Sequence, residues 1–203
     1  MRFIQVYPQA PKKPITLRKL ESFNTLNSLR RIDKSQQPVS FDPKRLRQWY
    51  TLDFDVYLKK YDYNLQRPFV WTLLQQQELI WSIFMGRPIP PMVFIQHNVE
   101  RISSTNDKML IIDGKQRLTA IYNYIDNKFP IIVDGEEVLY NDLDQKARYR
   151  INSFDLRVQL YYSYEGKDEI TDDEKIIIFN HYNFAGTPQE EAHKKKLLGF
   201  IKK

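Results

Sequence analysis

The stretch that most restricts what this 203-residue chain can fold into runs from Met109 to Ile125 and reads MLIIDGKQRLTAIYNYI. Met109 to Ile112 form an apolar run suited to a short buried strand, and Asp113-Gly114 ends it in a tight turn that a β-branched residue would not make. From Gln116 the period changes. Leu118, Ile121, Tyr122 and Ile125 fall at i, i+3, i+4 and i+7, which predicts an amphipathic helix beginning just after the glycine. A strand, a glycine turn and a helix N-terminus make a concave site where free backbone N–H groups and the positive end of the helix dipole favour an anion. Lys115 and Arg117 add cationic side chains there. Basic residues at a helix start oppose the dipole, which favours the anion site over the other reading of these residues, an ordinary turn with both side chains in solvent. No G-x-x-x-x-G-K-[ST] loop is present.

Asp113-Gly114-Lys115-Gln116-Arg117-Leu118-Thr119 resembles the DGQQRLT motif of the N-terminal domain of GmrSD-type modification-dependent restriction enzymes, a branch of the ParB/sulfiredoxin-like superfamily. Two further blocks agree. Gln66-Arg67-Pro68-Phe69-Val70-Trp71, with Leu79 to Ile83 and Gly86-Arg87-Pro88-Ile89-Pro90, resembles the QRPyvW…LidSIl.G.PIP opening of that family, and Ile178-Phe179-Asn180 with Asn183 to Pro188 resembles its F..iN..GtpL segment. The main departure is Lys115, where the family usually has Gln.

The resemblance implies an α+β fold of the ParB/sulfiredoxin-like type, with a small mixed sheet, surrounding helices and a nucleoside triphosphate held near the motif helix. On this mapping Gly114 permits close backbone approach, Lys115 and Arg117 neutralise phosphate oxygens, and Thr119 completes the binding motif. Asp113 would hold Mg²⁺ or polarise an attacking water, which Gln116 would orient. Gln66 and Arg67 would face the same pocket, and Asn180 and Asn183 would close it. Structural roles stand beside these: Arg67 as an ion-pair partner of Asp113, and the two Asn residues as caps for a helix ending near Tyr182.

Charge is uneven along the chain. Residues 1–60 hold 13 Lys and Arg against 5 Asp and Glu, whereas residues 61–203 hold 18 against 20. The division expected is therefore a basic N-terminal extension over 1–60 and the nucleotide-binding domain over 61–203. Clusters at Lys12-Lys13, Arg18-Lys19, Arg30-Arg31 and Lys44-Arg45 with Arg47 lie among polar residues, a composition that neutralises DNA phosphates by counterion release. The same segment would also serve as a solvated arm that packs Phe41, Trp49, Tyr50, Phe54 and Tyr57 on the main domain. With 42% hydrophobic residues the chain can bury one sizeable core, and no apolar run reaches membrane-spanning length or marks a secretory signal. Cysteine is absent, which removes disulfides and thiolate chemistry and agrees with a cytoplasmic setting, and the resemblance implies a bacterial or phage-infected cell.

The other elements follow from local pattern. Helices are expected over Ile15–Leu29, from Asp42-Pro43 to Trp49, along Leu73 to Phe84 before Gly86, and from Asp142 to about Arg150. Asp33 to Pro43 reads as loop, Met92 to Ile95 as a strand and Asp134-Gly135 as a hairpin turn. Alternation from Leu156 to Tyr164 predicts a half-buried strand, and capping boxes at Thr171 and Thr187 open two last helices.

The expected function is nucleotide binding and hydrolysis in DNA-modification sensing, restriction or mobile-element biology, with DNA on the basic extension and a defence-system protein as partners. A DNA- or protein-binding module without catalysis is the alternative, followed by a ParB-like nuclease or a small-molecule kinase. His97, His181 and His193 form no HNH array, so HNH cleavage by this stretch is not expected.

Overall fold

The computed structural model describes residues 33–34, 37–97, 108–163, 169–183 and 199. The helices expected over Ile15–Leu29 and after Thr187, the basic pairs before residue 32 and the polar stretch 98–107 lie outside them.

Strands β1 (Asp33–Lys34) and β2 (Val39–Phe41) occupy a segment expected to be loop. The correction has a tertiary cause: both pair antiparallel with the long strand Leu156–Ser163, here β10, which supplies the ladder their own polar sequence does not announce. Helix α1 (Pro43–Trp49) starts where Asp42 accepts the Arg45 N–H at 2.6 Å and Pro43 takes the first turn. β3 (Thr51–Asp53) follows, then the small antiparallel pair β4 (Tyr57–Leu58) and β5 (Tyr63–Asn64). Of the stretch expected to be a basic extension, the described residues from Asp33 onward supply sheet strands and a helix.

Helix α2 (Leu73–Phe84) opens with a capping box between Thr72 and Gln75 and stops at Gly86, whose φ of +64° reverses the chain. β6 (Met92–His97), β7 (Lys108–Asp113) and α3 (Lys115–Ile125) come next. A hairpin, β8 (Ile131–Val133) and β9 (Glu136–Val138), turns on Asp134 and Gly135, both at positive φ. Helix α4 (Gln145–Asn152) is capped by Asp144, and α5 (Asp172–Asn183) by the Thr171–Glu174 box.

The main sheet is mixed, in the order β1-β10-β6-β7-β3, with β2 also on β10. β10 runs parallel to β6, β6 antiparallel to β7, and β7 parallel to β3. Residue parity divides two buried layers. Met92, Phe94, Met109, Ile111, Val158 and Leu160 face a core shared with Leu46 of α1, Leu79, Ile80 and Ile83 of α2, Leu118 and Ile121 of α3 and Ile151 of α4. Val93, Ile95, Leu110, Ile112 and Tyr161 point the other way, where α5 brings Ile176 and Phe179 and the Tyr161 and Tyr182 hydroxyls meet at 3.0 Å. β10 was expected to be half-buried. Its second half is covered on both faces, with Gln159 and Tyr161 both buried, because α5 closes the side that simple alternation assigns to water. The α+β class expected from the sequence holds, and among the described residues no helix is long and apolar enough to cross a membrane.

Candidate functional site

The motif turn sits where β7 leaves the sheet and α3 begins. Gly114 is the N-cap residue of α3 at φ +105°, a conformation that disfavours any side chain. A Cβ there would lie 2.6 Å from Met92 Cγ and 2.9 Å from Met92 Cβ. The close approach that Gly114 permits is therefore first of all to the neighbouring strand β6. No side chain caps α3 and no acid occupies its first turn, which leaves its first N–H groups without a capping side chain.

The polar side chains of the motif divide into those held by the framework and those free to bind. Asp113 accepts from Arg117 Nη2 at 2.7 Å, and Arg117 Nη1 donates to the Pro90 carbonyl. Arg117, expected to meet phosphate, is thus already tied to two protein groups, and it takes the ion-pair place by Asp113 that was open to Arg67. The Gln116 amide is used at both ends: its oxygen accepts the Val70 N–H and its nitrogen donates to the Pro68 carbonyl, each at 2.9 Å. Expected to orient a water, it instead clamps the 68–70 segment onto α3. Gln66 does the reciprocal work, its Nε2 donating to the Ile111 and Ile112 carbonyls at 2.6 and 2.7 Å. The QRP block and the motif are adjacent in space because these two buried glutamines stitch them together.

Two cations remain. Lys115 has a side chain only 11% exposed and pairs with Asp55 Oδ1 at 3.1 Å, an aspartate 70% exposed and open to competition from water. Arg67 is half-buried and makes no hydrogen bond or ion pair with any described residue. Thr119 lies one turn along α3 from Lys115, in the wall of a cleft of about 430 Å³ that also takes in Arg47, Phe54, Tyr122 and Asn123. Asn180 is on α5 and its side chain bonds to no described residue, while the side chain of Asn183 lies outside the described residues.

Asp55, Met92 and the Pro90 carbonyl are parts of the site that sequence reasoning did not single out. Asp55 belongs to no motif, and the need for a glycine opposite Met92 appears only when β6 and β7 are paired. Of the basic cluster on α1, Arg47 is engaged: it grips Asp126 through both terminal nitrogens, at 2.7 and 3.2 Å, and lies 5.1 Å from the Tyr122 ring centre. That bond holds the Asp126 carboxyl below the usual carboxylate range and raises the Arg47 guanidinium in turn.

A family model described as GmrSD restriction endonuclease, N-terminal domain, matches residues 55–201. No curated protein and no solved structure matches the chain.

Proposed function

The chain belongs to the GmrSD restriction endonuclease N-terminal domain family, and from that premise we propose that it binds a nucleoside triphosphate at the start of α3 and hydrolyses it with Mg²⁺. The observation that carries this reading is a helix N-terminus without a side-chain cap, next to the 66–70 segment that carries Arg67, a residue with no described partner, and to Lys115 with one exposed partner. Phosphate oxygens would meet the first N–H groups of α3, the Arg67 guanidinium and the Lys115 ammonium, which would exchange Asp55 for the ligand.

Among the described residues no group of three or more His, Asp or Glu could hold a metal ion. The donor set that remains for Mg²⁺ is the second oxygen of Asp113 together with phosphate oxygens and water, a usual arrangement for an ion that arrives with its nucleotide. When bound, the ion would neutralise charge building on the phosphate oxygens. Asp113 is held at its place by Arg117, so the guanidinium acts as a positioning group. The DNA contacts proposed for the basic N-terminal extension would couple the pocket to modified DNA or to a restriction partner.

A second reading, a binding module without turnover, is favoured by one observation: both polar atoms of the Gln116 amide, the group expected to orient water, are occupied by backbone. Phosphate release from ATP, GTP, CTP and UTP with Mg²⁺, with and without duplex DNA, separates the two. Turnover of a nucleotide that disappears in Asp113→Ala supports hydrolysis, and stimulation by DNA ties the extension to it. Binding without release in the wild type supports the module instead.

A further inference from the structure

The cleft beside α3 is unused by the phosphate site, and its lining points to a ligand. Its walls come from α1, from β3 with the residue after it, and from one face of α3, and its volume of about 430 Å³ falls in the range of small-molecule sites. Tyr50, Phe54 and Tyr122 supply aromatic surface, and the Arg47 guanidinium lies over Tyr122. Asn123 presents an amide whose oxygen is taken by Lys128 Nζ at 3.1 Å, so its Nδ2 is the end left to donate. Rings and a guanidinium plane beside a single amide donor suit a flat heterocycle with an acceptor on its edge.

The position of the cleft says which heterocycle. β3 is parallel to β7, and α3 turns back from the end of β7, so Asp55 lies at the N-terminal end of α3 and Tyr50 near its C-terminal end. Lys115, Thr119 and Asn123 repeat at i, i+4 and i+8 on one face, spanning ~12 Å at 1.5 Å per residue. Phe54 adjoins the aspartate that holds Lys115. We infer that the cleft is the nucleoside subsite of the nucleotide whose phosphates are proposed to meet Lys115 and Arg67, with the base against the aromatic wall and its edge on Asn123 Nδ2. This rests on the phosphate-site reading, and it makes base selectivity a property of α1, β3 and the middle of α3.

Titration calorimetry of the full chain with each nucleoside triphosphate, with inorganic triphosphate and with the free nucleosides, all with Mg²⁺, tests it. The expected result is one nucleotide binding at least tenfold more tightly than inorganic triphosphate. Asn123→Ala should erase about tenfold of that preference, the worth of one hydrogen bond in a partly buried site, while triphosphate binds as before. Thr119→Trp, which fills the cleft from a helical position, should erase more of that preference still, and circular dichroism verifies that it folds. Arg67→Ala should weaken nucleotide and inorganic triphosphate together. Equal affinity for all nucleotides and inorganic triphosphate, or no change in either cleft variant, overturns the nucleoside subsite and leaves the phosphate reading standing. Binding of a free nucleoside that Asn123→Ala removes, with no binding of inorganic triphosphate, supports the cleft and sinks the phosphate reading. No binding of any of these ligands overturns both.

Discussion

At the residue scale, Gly114 shows how a position can be legible while its reason is not. The sequence marks it as a turn between a buried strand and an amphipathic helix, and the structure confirms both elements around it. The resemblance assigns its missing side chain to phosphate approach. The structure adds a nearer cause, since a Cβ would meet Met92 at 2.6 Å and the φ of +105° already strains any L-residue. Gly114→Ala should therefore destabilise the fold by about 2–4 kcal/mol, adding a left-handed backbone penalty to an overpacking one. Urea denaturation measures it, and the Met92→Gly background, which removes both the Cγ and the Cβ that an added side chain would meet, separates the two parts. If the cost of Gly114→Ala is the same with and without the Met92 side chain, the steric account fails and backbone strain alone remains. Asp113, Lys115 and Arg117 were equally visible as a charged group, but which of them is spoken for by the protein was not. That depends on the Pro90 carbonyl and on Asp55, residues 27 and 60 positions away along the chain.

At the scale of elements, the helices were the more legible part. The helix start at Asp42-Pro43, the capping box at Thr171 and the apolar stripe of α3 are local signals, and the structure uses each of them. β1 and β2 were hidden because a strand of two or three residues has no period of its own and exists through its partner, here β10. The buried glutamines were hidden for a related reason. Gln66 and Gln116 read as pocket residues, yet each satisfies backbone groups of the other's segment, an accounting that only the folded chain closes. Removing the Gln116 amide strands the Val70 N–H and the Pro68 carbonyl, so Gln116→Ala should cost about 1–3 kcal/mol. It should also release the 66–71 segment that carries Arg67. Hydrogen exchange is the direct measurement: protection of the Val70 amide should fall selectively, while amides in β6 and β7 keep theirs. A uniform loss across the sheet would mean that the clamp holds the whole domain, and no loss at Val70 would mean that the segment is fixed by other contacts.

For the whole molecule, three aspartates tie the layers together. Asp126 joins α3 to Arg47 of α1, Asp173 joins the start of α5 to Lys60 and Tyr61, and Asp53 joins β3 to Lys108 of β7. All three carboxyls sit below the ordinary range. For Asp126 the Arg47 hydrogen bond is the leading cause; for Asp173 and Asp53 burial opposes ionisation, and hydrogen bonds outweigh it, from Lys60 and Tyr61 in one case and from Lys108 with the Asp55 and Val56 N–H groups in the other. A lowered folded-state value means that stability is fully present above the unfolded carboxylate range near ~4 and is lost as pH falls through the folded values. At the alkaline end the sign reverses in pH. Burial raises Tyr122, Tyr161 and Tyr124, the last to about 12, so their contribution is present below the ordinary tyrosine value near ~10 and lost above it. The melting temperature should accordingly be flat between these limits and fall on both sides. Salt distinguishes the aspartates: Arg47–Asp126 and Lys60–Asp173 are largely exposed and should be screened, whereas Asp53, 18% exposed, keeps its backbone N–H bonds. In 1 M salt, Asp126→Asn should change the acid limb little, whereas Asp53→Asn should still lower the melting temperature at neutral pH and flatten the acid limb, its difference from wild type closing as pH falls. Equal salt sensitivity of the two variants would show that Asp53 acts through Lys108 alone, and that the turn after β3, which places Asp55 opposite Lys115, is held by charge and not by its backbone hydrogen bonds.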